Sequence, residues 1–227
     1  MFQVQWWVTQ LKEKLLHEFE SRVVFLGLQG SYRRGEATPE SDVDIMLVLD
    51  TLSLSDLQRY RAILSSMPDG DRACGFLCAK EDLAVWPKYE LFGLLQETDP
   101  LYGELFPLLP QITREDIADS VRIGAANLYH AVCHSYLYNP PGHTAESLPG
   151  FFKAAVFPLK LLCYLETGLY LATKAQLSSH LTGDDKLLLS LVSQPAPFST
   201  QPKIDEAVSL LMRWCQGALR RASHKNI

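Results

Sequence analysis

Two aspartates, Asp42 and Asp44, flank Val43 at the head of an apolar run, Ile45-Met46-Leu47-Val48-Leu49. Such a run reads as a strand, and the two-residue period of a strand turns both carboxylates to one side. They then stand roughly 7 Å apart along the chain, and can converge on one cation or a pair of cations. Oxygen donors of this kind suit Mg²⁺. Upstream lies Gly30-Ser31-Tyr32-Arg33-Arg34-Gly35, and Ser41 directly precedes Asp42. Gly30 lets the backbone come close to a ligand, and Ser31 falls where a strand turns into a short helix, whose unpaired N–H groups attract phosphate oxygens. Arg34 adds a charged fork. In this order the residues suit in-line attack by a hydroxyl on the α-phosphate of a nucleoside triphosphate, with Mg²⁺ on the phosphates and pyrophosphate leaving.

The elements that must position these groups can be read from periodicity. Residues 4 to 19 form a helix with Trp7, Leu11, Leu15 and Phe19 on one face. Val23 to Leu28 is a short continuous apolar run, a strand buried on both faces that delivers the chain to Gly30. Val43 to Leu49 pairs beside it in the sheet interior. Ser53 to Met67 is helical, with Leu54, Leu57, Ile63 and Leu64 as its apolar members, and Pro68 to Asp71 is a turn. Ala73 to Ala79 is a third strand, Leu83 to Glu97 a helix in spite of Pro87, and Asp99 to Gly103 a short extended segment. A boundary falls at Pro107 to Pro110, giving domains 1–110 and 111–227.

Beyond that boundary the pattern is of long helices. Thr113 opens the first with a capping-box spacing, and its stripe runs from Ile117 to Tyr136. Asn139 to Gly142 stops it. Further helices cover Phe151 to Thr167, with Gly168 as C-cap, then segments begun by Thr173 and Thr182, and finally Pro202 to Ala222 after the Pro195-Ala196-Pro197 break. The fold class is therefore α+β: a small mixed sheet followed by an α-helical bundle.

Composition narrows the function classes. The 227 residues carry a net charge of -5, which argues against an extended nucleic-acid surface. Five cysteines without a Cys-x-x-Cys pair suit no disulfide framework. The N-terminus lacks the features of a signal peptide, and the longest apolar stretch, Ala154 to Leu165, is interrupted by Pro158 and Lys160 and is too short to cross a bilayer. The expectation is a cytoplasmic protein with no membrane partner.

The Gly-Ser-x-x-Arg-Gly and Ser-Asp-x-Asp motifs resemble those of the polymerase β-like nucleotidyltransferase superfamily. Within it the chain is similar to the kanamycin-type aminoglycoside nucleotidyltransferases. The spacer from Arg34 to Ser41, Asp99-Pro100-Leu101-Tyr102-Gly103, and the turn from Gly168 to Leu181 extend that resemblance. It implies a nucleotidyltransferase domain closed by the helical half. Its activity would be transfer of a nucleoside monophosphate, AMP, from ATP or another NTP to a hydroxyl of an aminoglycoside-like small molecule. Gly30, Ser31, Arg34 and Ser41 would hold the nucleotide, and Asp42 and Asp44 would serve as metal ligands and catalytic residues. A homodimer with a shared cleft is also implied.

The sequence departs from the family at one place. A third acidic residue is expected on the next strand, where the alignment puts Cys74, and a thiol is a poor Mg²⁺ ligand. Asp71, Glu81 and Asp82 are the carboxylates near enough in sequence to substitute. His130 and His134 share a helix face, at a spacing comparable to the glutamates of the resembling enzymes, one of which acts as base. Lys174, after the Gly168 turn, and Lys160 could neutralise a triphosphate, or be snorkelling surface lysines. Arg33, Arg220 and Arg221 read as solvated. Tyr129, Tyr136, Tyr138 and Trp214 could line an acceptor pocket or be core, and Cys74 and Cys78 read as small buried residues. Two rival functions remain: a nucleotide-binding homologue with weak or no turnover, favoured by the missing acid, and a protein-modifying nucleotidyltransferase of the toxin-antitoxin type.

Overall fold

Two apolar runs, Val23 to Leu28 and Val43 to Leu49, form the middle of a four-stranded sheet. A computed structural model describes residues 2–192 and 198–223. The chain divides into two compact units, Met1–Ile112 and Thr113–Ile227. In the first, the order is α1 (Val4–Phe19), β1 (Val23–Leu28), α2 (Gly30–Arg34), β2 (Val43–Leu49), α3 (Leu54–Ser65), β3 (Ala73–Ala79), α4 (Lys80–Val85), α5 (Lys88–Gln96) and β4 (Asp99–Tyr102). The sheet runs β3-β2-β1-β4 and is mixed: β1 is antiparallel to both β2 and β4, whereas β2 and β3 are parallel.

Alternation along β2 feeds two cores. Val43, Ile45, Leu47 and Leu49 pack with Trp7, Leu11, Leu15 and Phe19 of α1 and with Tyr60 of α3. Met46 and Val48 join Phe25, Cys78, Leu83, Leu91 and Leu105 on the opposite face. The expected single helix from Leu83 to Glu97 is two, α4 and α5, parted at Trp86 and Pro87. Proline lacks an N–H and forces its predecessor out of the helical region, and Trp86 is indeed extended, with ψ 147°.

In α3 the apolar members named from the sequence do not all face inward. Leu54 and Leu57 are exposed, and the buried residues are Asp56 and Tyr60. Asp56 is 4% exposed because it closes a capping box with Ser53 and receives a two-pronged Arg22 guanidinium at 2.7 and 3.1 Å. Arg22 also donates to Asp50 and to the Thr51 carbonyl. The ends of β1 and β2 are thereby tied to the start of α3.

The second unit holds α6 (Arg114–Tyr138), α7 (Pro141–Thr167), α8 (Lys174–His180), α9 (Gly183–Leu191) and α10 (Gln201–Ser223). Thr113 and Asp116 form a capping box on α6, and Thr173 and Gln176 one on α8. Helix α7 starts at Pro141, ten positions before the expected Phe151, because proline is at home in a first helical turn. At full length α7 is long and apolar enough to cross a membrane by length and composition, which corrects the shorter apolar stretch read from sequence. Just over half of its most apolar window is buried inside the protein, and Phe152, Ala155, Leu159 and Leu162 are core residues. Gly124 of α6 lies against Pro158 of α7; a β-carbon there would sit 2.6 Å from the proline ring. Arg221 is not a solvated residue: it pairs with Glu166 at 2.7 Å and Asp185 at 2.9 Å, and Asp185 also accepts from the Trp214 indole. Pro195-Ala196-Pro197 lies outside the described residues.

The Arg22 guanidinium, then Ser53, hold the Asp56 carboxyl well below the usual carboxylate range. A carboxylate so depressed contributes stability above its unfolded pKa of about 4, and loses that contribution as pH falls toward its folded value. Asp56→Asn is expected to lower the melting temperature by roughly 5 °C at pH 7, with the gap to wild type closing in melts recorded below pH ~4.

Candidate functional site

The backbone brings the two halves of the motif together where β1 ends. Gln29 N donates to the Asp44 carbonyl at 2.8 Å, so pairing with β2 continues one residue beyond β1. Gly30 then adopts φ +69° and begins α2. A β-carbon on Gly30 would lie 1.7 Å from Asp44 Oδ2 and 2.6 Å from its Cγ. The Asp44 carboxylate therefore rests directly against the α-carbon of Gly30. Asp44 is half-buried, and Asp42 is exposed in the segment just before β2. The spacer between them and α2 folds on itself: Glu36 N donates to Ser31 O at 2.9 Å, and Thr38 N donates to the Ser41 hydroxyl at 2.9 Å. Ser41 thus closes its own turn, and Arg72 secures that turn through the Pro39 carbonyl at 2.7 Å.

The register of β2 and β3 pairs Asp44 with Cys74. Directly paired residues of neighbouring strands project to the same face, so the third position beside Asp44 carries a thiol. Cys74 is exposed, against the expectation that it is buried, whereas Cys78 is buried and its thiol is pushed up to about 12, by burial first and Asp82 second. Glu81 and Asp82 follow Ala79, which pairs with Leu49. Five residues of strand, roughly 16 Å, separate that pair from Asp44. Asp82 moreover accepts from Ala79 N and so caps α4. Asp71 is exposed in the turn before β3. Among the described residues, no three His, Cys, Asp or Glu side chains gather in a way that could hold a metal ion.

The arginines of the motif are engaged. Arg34 donates to Glu36 at 3.1 Å and Glu97 at 2.9 Å. Burial alone would lower its pKa, but these two carboxylates outweigh burial and raise it. Arg33, expected to be solvated, donates to Asp99 at 2.9 Å and lies 3.6 Å from Glu97. Glu36, Glu97 and Arg72 escaped the reading from sequence. The sole signal for Glu97 was its place in the polar run Glu97-Thr98-Asp99, next to the segment that resembles the family.

Residues 8–83 match the family model of the nucleotidyltransferase domain. The matched residues lie within the first unit. Over its whole length the chain is similar in fold to spectinomycin adenyltransferase AAD(9) from Enterococcus faecialis, crystallised with ATP and spectinomycin. That superposition has a TM-score of 0.57 at 15% identity and covers 95% of this chain and 99% of that chain. No curated protein matches the sequence. The Gly30 to Asp44 motif lies inside the matched nucleotidyltransferase domain.

The remaining candidates belong to the second unit. His130 and His134 are exposed on α6 with ring centroids 6.1 Å apart, and the Tyr138 ring lies tilted beside His134, 5.1 Å away. Lys174 is exposed at the start of α8, while Lys160 is only 5% exposed in α7, a core position and not a snorkelling surface one. Trp214 is core; Tyr129 is half-buried, and Tyr136 and Tyr138 are exposed, Tyr136 donating to Asp205.

Gly30 and Gly35 share φ +69°, but a β-carbon at Gly35 meets nothing within 4 Å. Gly35→Ala is expected to cost about 1 kcal/mol of backbone strain, and Gly30→Ala about 1–3 kcal/mol more, because Asp44 must move as well. Urea unfolding of the two variants measures the difference.

Proposed function

We propose that this chain is an Mg²⁺-dependent nucleotidyltransferase that moves a nucleoside monophosphate, AMP, from a nucleoside triphosphate to a hydroxyl of a small, aminoglycoside-like acceptor. The observation that carries the reading is the Asp44 carboxylate set against Gly30, two residues after Asp42, within the residues that match the nucleotidyltransferase family model. The fold neighbour, crystallised with ATP and spectinomycin, supports the choice of nucleotide and acceptor class. The net charge of -5 suits a cationic acceptor.

Two carboxylates fit one Mg²⁺, which usually takes one or two protein carboxylates and completes its shell with waters and substrate phosphates. Bound by Asp42 and Asp44, the ion would draw charge from the phosphate oxygens. Gly30 puts no side chain of its own against Asp44. Ser31, the next residue, offers its hydroxyl to a phosphate oxygen. Arg34 keeps part of its guanidinium fork beyond the bonds to Glu36 and Glu97. His130 or His134 is the proposed base for the acceptor's proton.

One observation favours a second reading, a nucleotide-binding protein with little turnover: Cys74 stands opposite Asp44 where the family has a carboxylate. A single experiment separates the two. The protein is incubated with labelled ATP, Mg²⁺ and a panel of aminoglycosides together with spectinomycin, and both adduct and pyrophosphate are measured. Turnover is expected, reduced about a hundredfold or more by Asp42→Asn with Asp44→Asn. Thermal stabilisation by ATP without adduct supports the second reading. Supplying the missing oxygen ligand by Cys74→Asp is expected to raise the rate on the order of tenfold; an unchanged rate removes Cys74 as the limiting residue.

A further inference from the structure

Three consecutive residues, Glu97 and Thr98 after α5 and Asp99 at the start of β4, engage α2 and the residue before it. Thr98 Oγ1 accepts from Gln29 Nε2 at 2.7 Å and donates to Leu94 O, which secures it to α5. Asp99 Oδ1 accepts from Arg33 Nε at 2.9 Å. Glu97 Oε2 accepts from Arg34 Nη1 at 2.9 Å and lies 3.6 Å from Arg33 Nη1. One carboxylate therefore serves both arginines of the motif.

Helix α2 needs such a device. It has five residues, starts from a positive φ and buries none of its side chains. A helix this short does not hold itself, since nucleation costs more than one turn returns. Tyr32 gives it one apolar contact at the edge of the core, its ring 5.6 Å from that of Phe2, and the rest of its hold comes from polar bridges. Glu97 is the best placed of them, because its side chain is only 13% exposed and is screened less than the more exposed Asp99.

We propose that Glu97 is a positioning residue: by bridging Arg33 and Arg34 it fixes α2, and with it Gly30 and Ser31, against the Asp44 carboxylate before a nucleotide arrives. The effect on nucleotide rests on the function proposed above; the effect on α2 does not. Three carboxylates, Glu36, Glu97 and Asp99, surround two guanidiniums. The arginine charge is thus compensated within the protein, and its task in the free protein is to hold α2. Loosening Glu97 consequently weakens binding of a metal–nucleotide.

The test uses the full chain with Glu97→Gln, which removes the charge while keeping the shape, and Arg34→Gln, which breaks the same bridge from its other end. Amides of residues 30–35 are expected to exchange with deuterium on the order of tenfold faster in both variants, with those of β1 and β2 unchanged. The dissociation constant for Mg-ATP, by calorimetry, is expected to rise about tenfold. In the double variant the acceleration of exchange at residues 30–35 is expected to fall short of the sum of the two single effects, because both act through the Glu97–Arg34 bridge. Unchanged exchange at residues 30–35 overturns the proposal. So do tighter Mg-ATP binding in Glu97→Gln, as expected if Glu97 merely competed with phosphate for Arg34, and fully additive acceleration of exchange at residues 30–35 in the double variant. Wild type that binds no Mg-ATP overturns the proposed function instead, and the exchange rates still decide the role of Glu97.

Discussion

The Gly30 α-carbon and the Asp44 carboxylate approach so closely that no side chain fits between them, and this contact constrains everything around it. It requires β1 and β2 to be paired up to their shared end, which the Gln29-to-Asp44 hydrogen bond accomplishes. It requires the chain to turn at once through a positive φ into α2. It also requires the turn to be held from outside, because five residues with no buried side chain contribute too little by themselves. The buried hydrophobic faces of β2 supply the rigidity, and the polar residues at the ends of the strands spend it on placing two carboxylates.

Charge around the site is arranged in compensated groups. Arg33 and Arg34 meet Glu36, Glu97 and Asp99; at the opposite end of β1, Arg22 meets Asp50 and Asp56. Such pairs contribute modestly to stability when exposed and more when one partner is withdrawn from water. Asp56 and Glu97 are the withdrawn partners, and each stands at a junction between a strand and a helix. The bonds that fix the architecture are thus concentrated where backbone direction changes, while Asp42 remains exposed.

The second unit rests on a different economy. Helices α6, α7 and α10 pack through apolar stripes, and Gly124 admits the Pro158 ring where a larger residue would hold the helices apart. Half-buried charge is again tied to direction: Arg221 bridges α10 to Glu166 of α7 and Asp185 of α9. Its arginine and tryptophan contacts come from residues far apart in sequence, which is why Arg221 reads as a solvated residue when taken alone.

By itself the sequence determined what depends on neighbours along the chain. Strand and helix periods, the caps at Thr113 and Thr173, and the spacing of Asp42 and Asp44 ahead of an apolar run are local, and all are legible in residue order. The proline positions were legible too, though not their consequences: Pro87 split a helix and Pro141 started one early. Only the tertiary structure decided what depends on register and on long-range pairing. That Cys74 faces Asp44, that Glu81 and Asp82 lie a strand's length away, and that Glu97 reaches both motif arginines follow from how β2 lies on β3 and how α5 returns to β4. No local pattern encodes these partners, since a carboxylate's neighbour in space is set by the packing of whole elements. The motif from Gly30 to Asp44 was therefore readable as a two-carboxylate site, while the thiol beside it and the clamp behind it became visible only once the sheet was assembled.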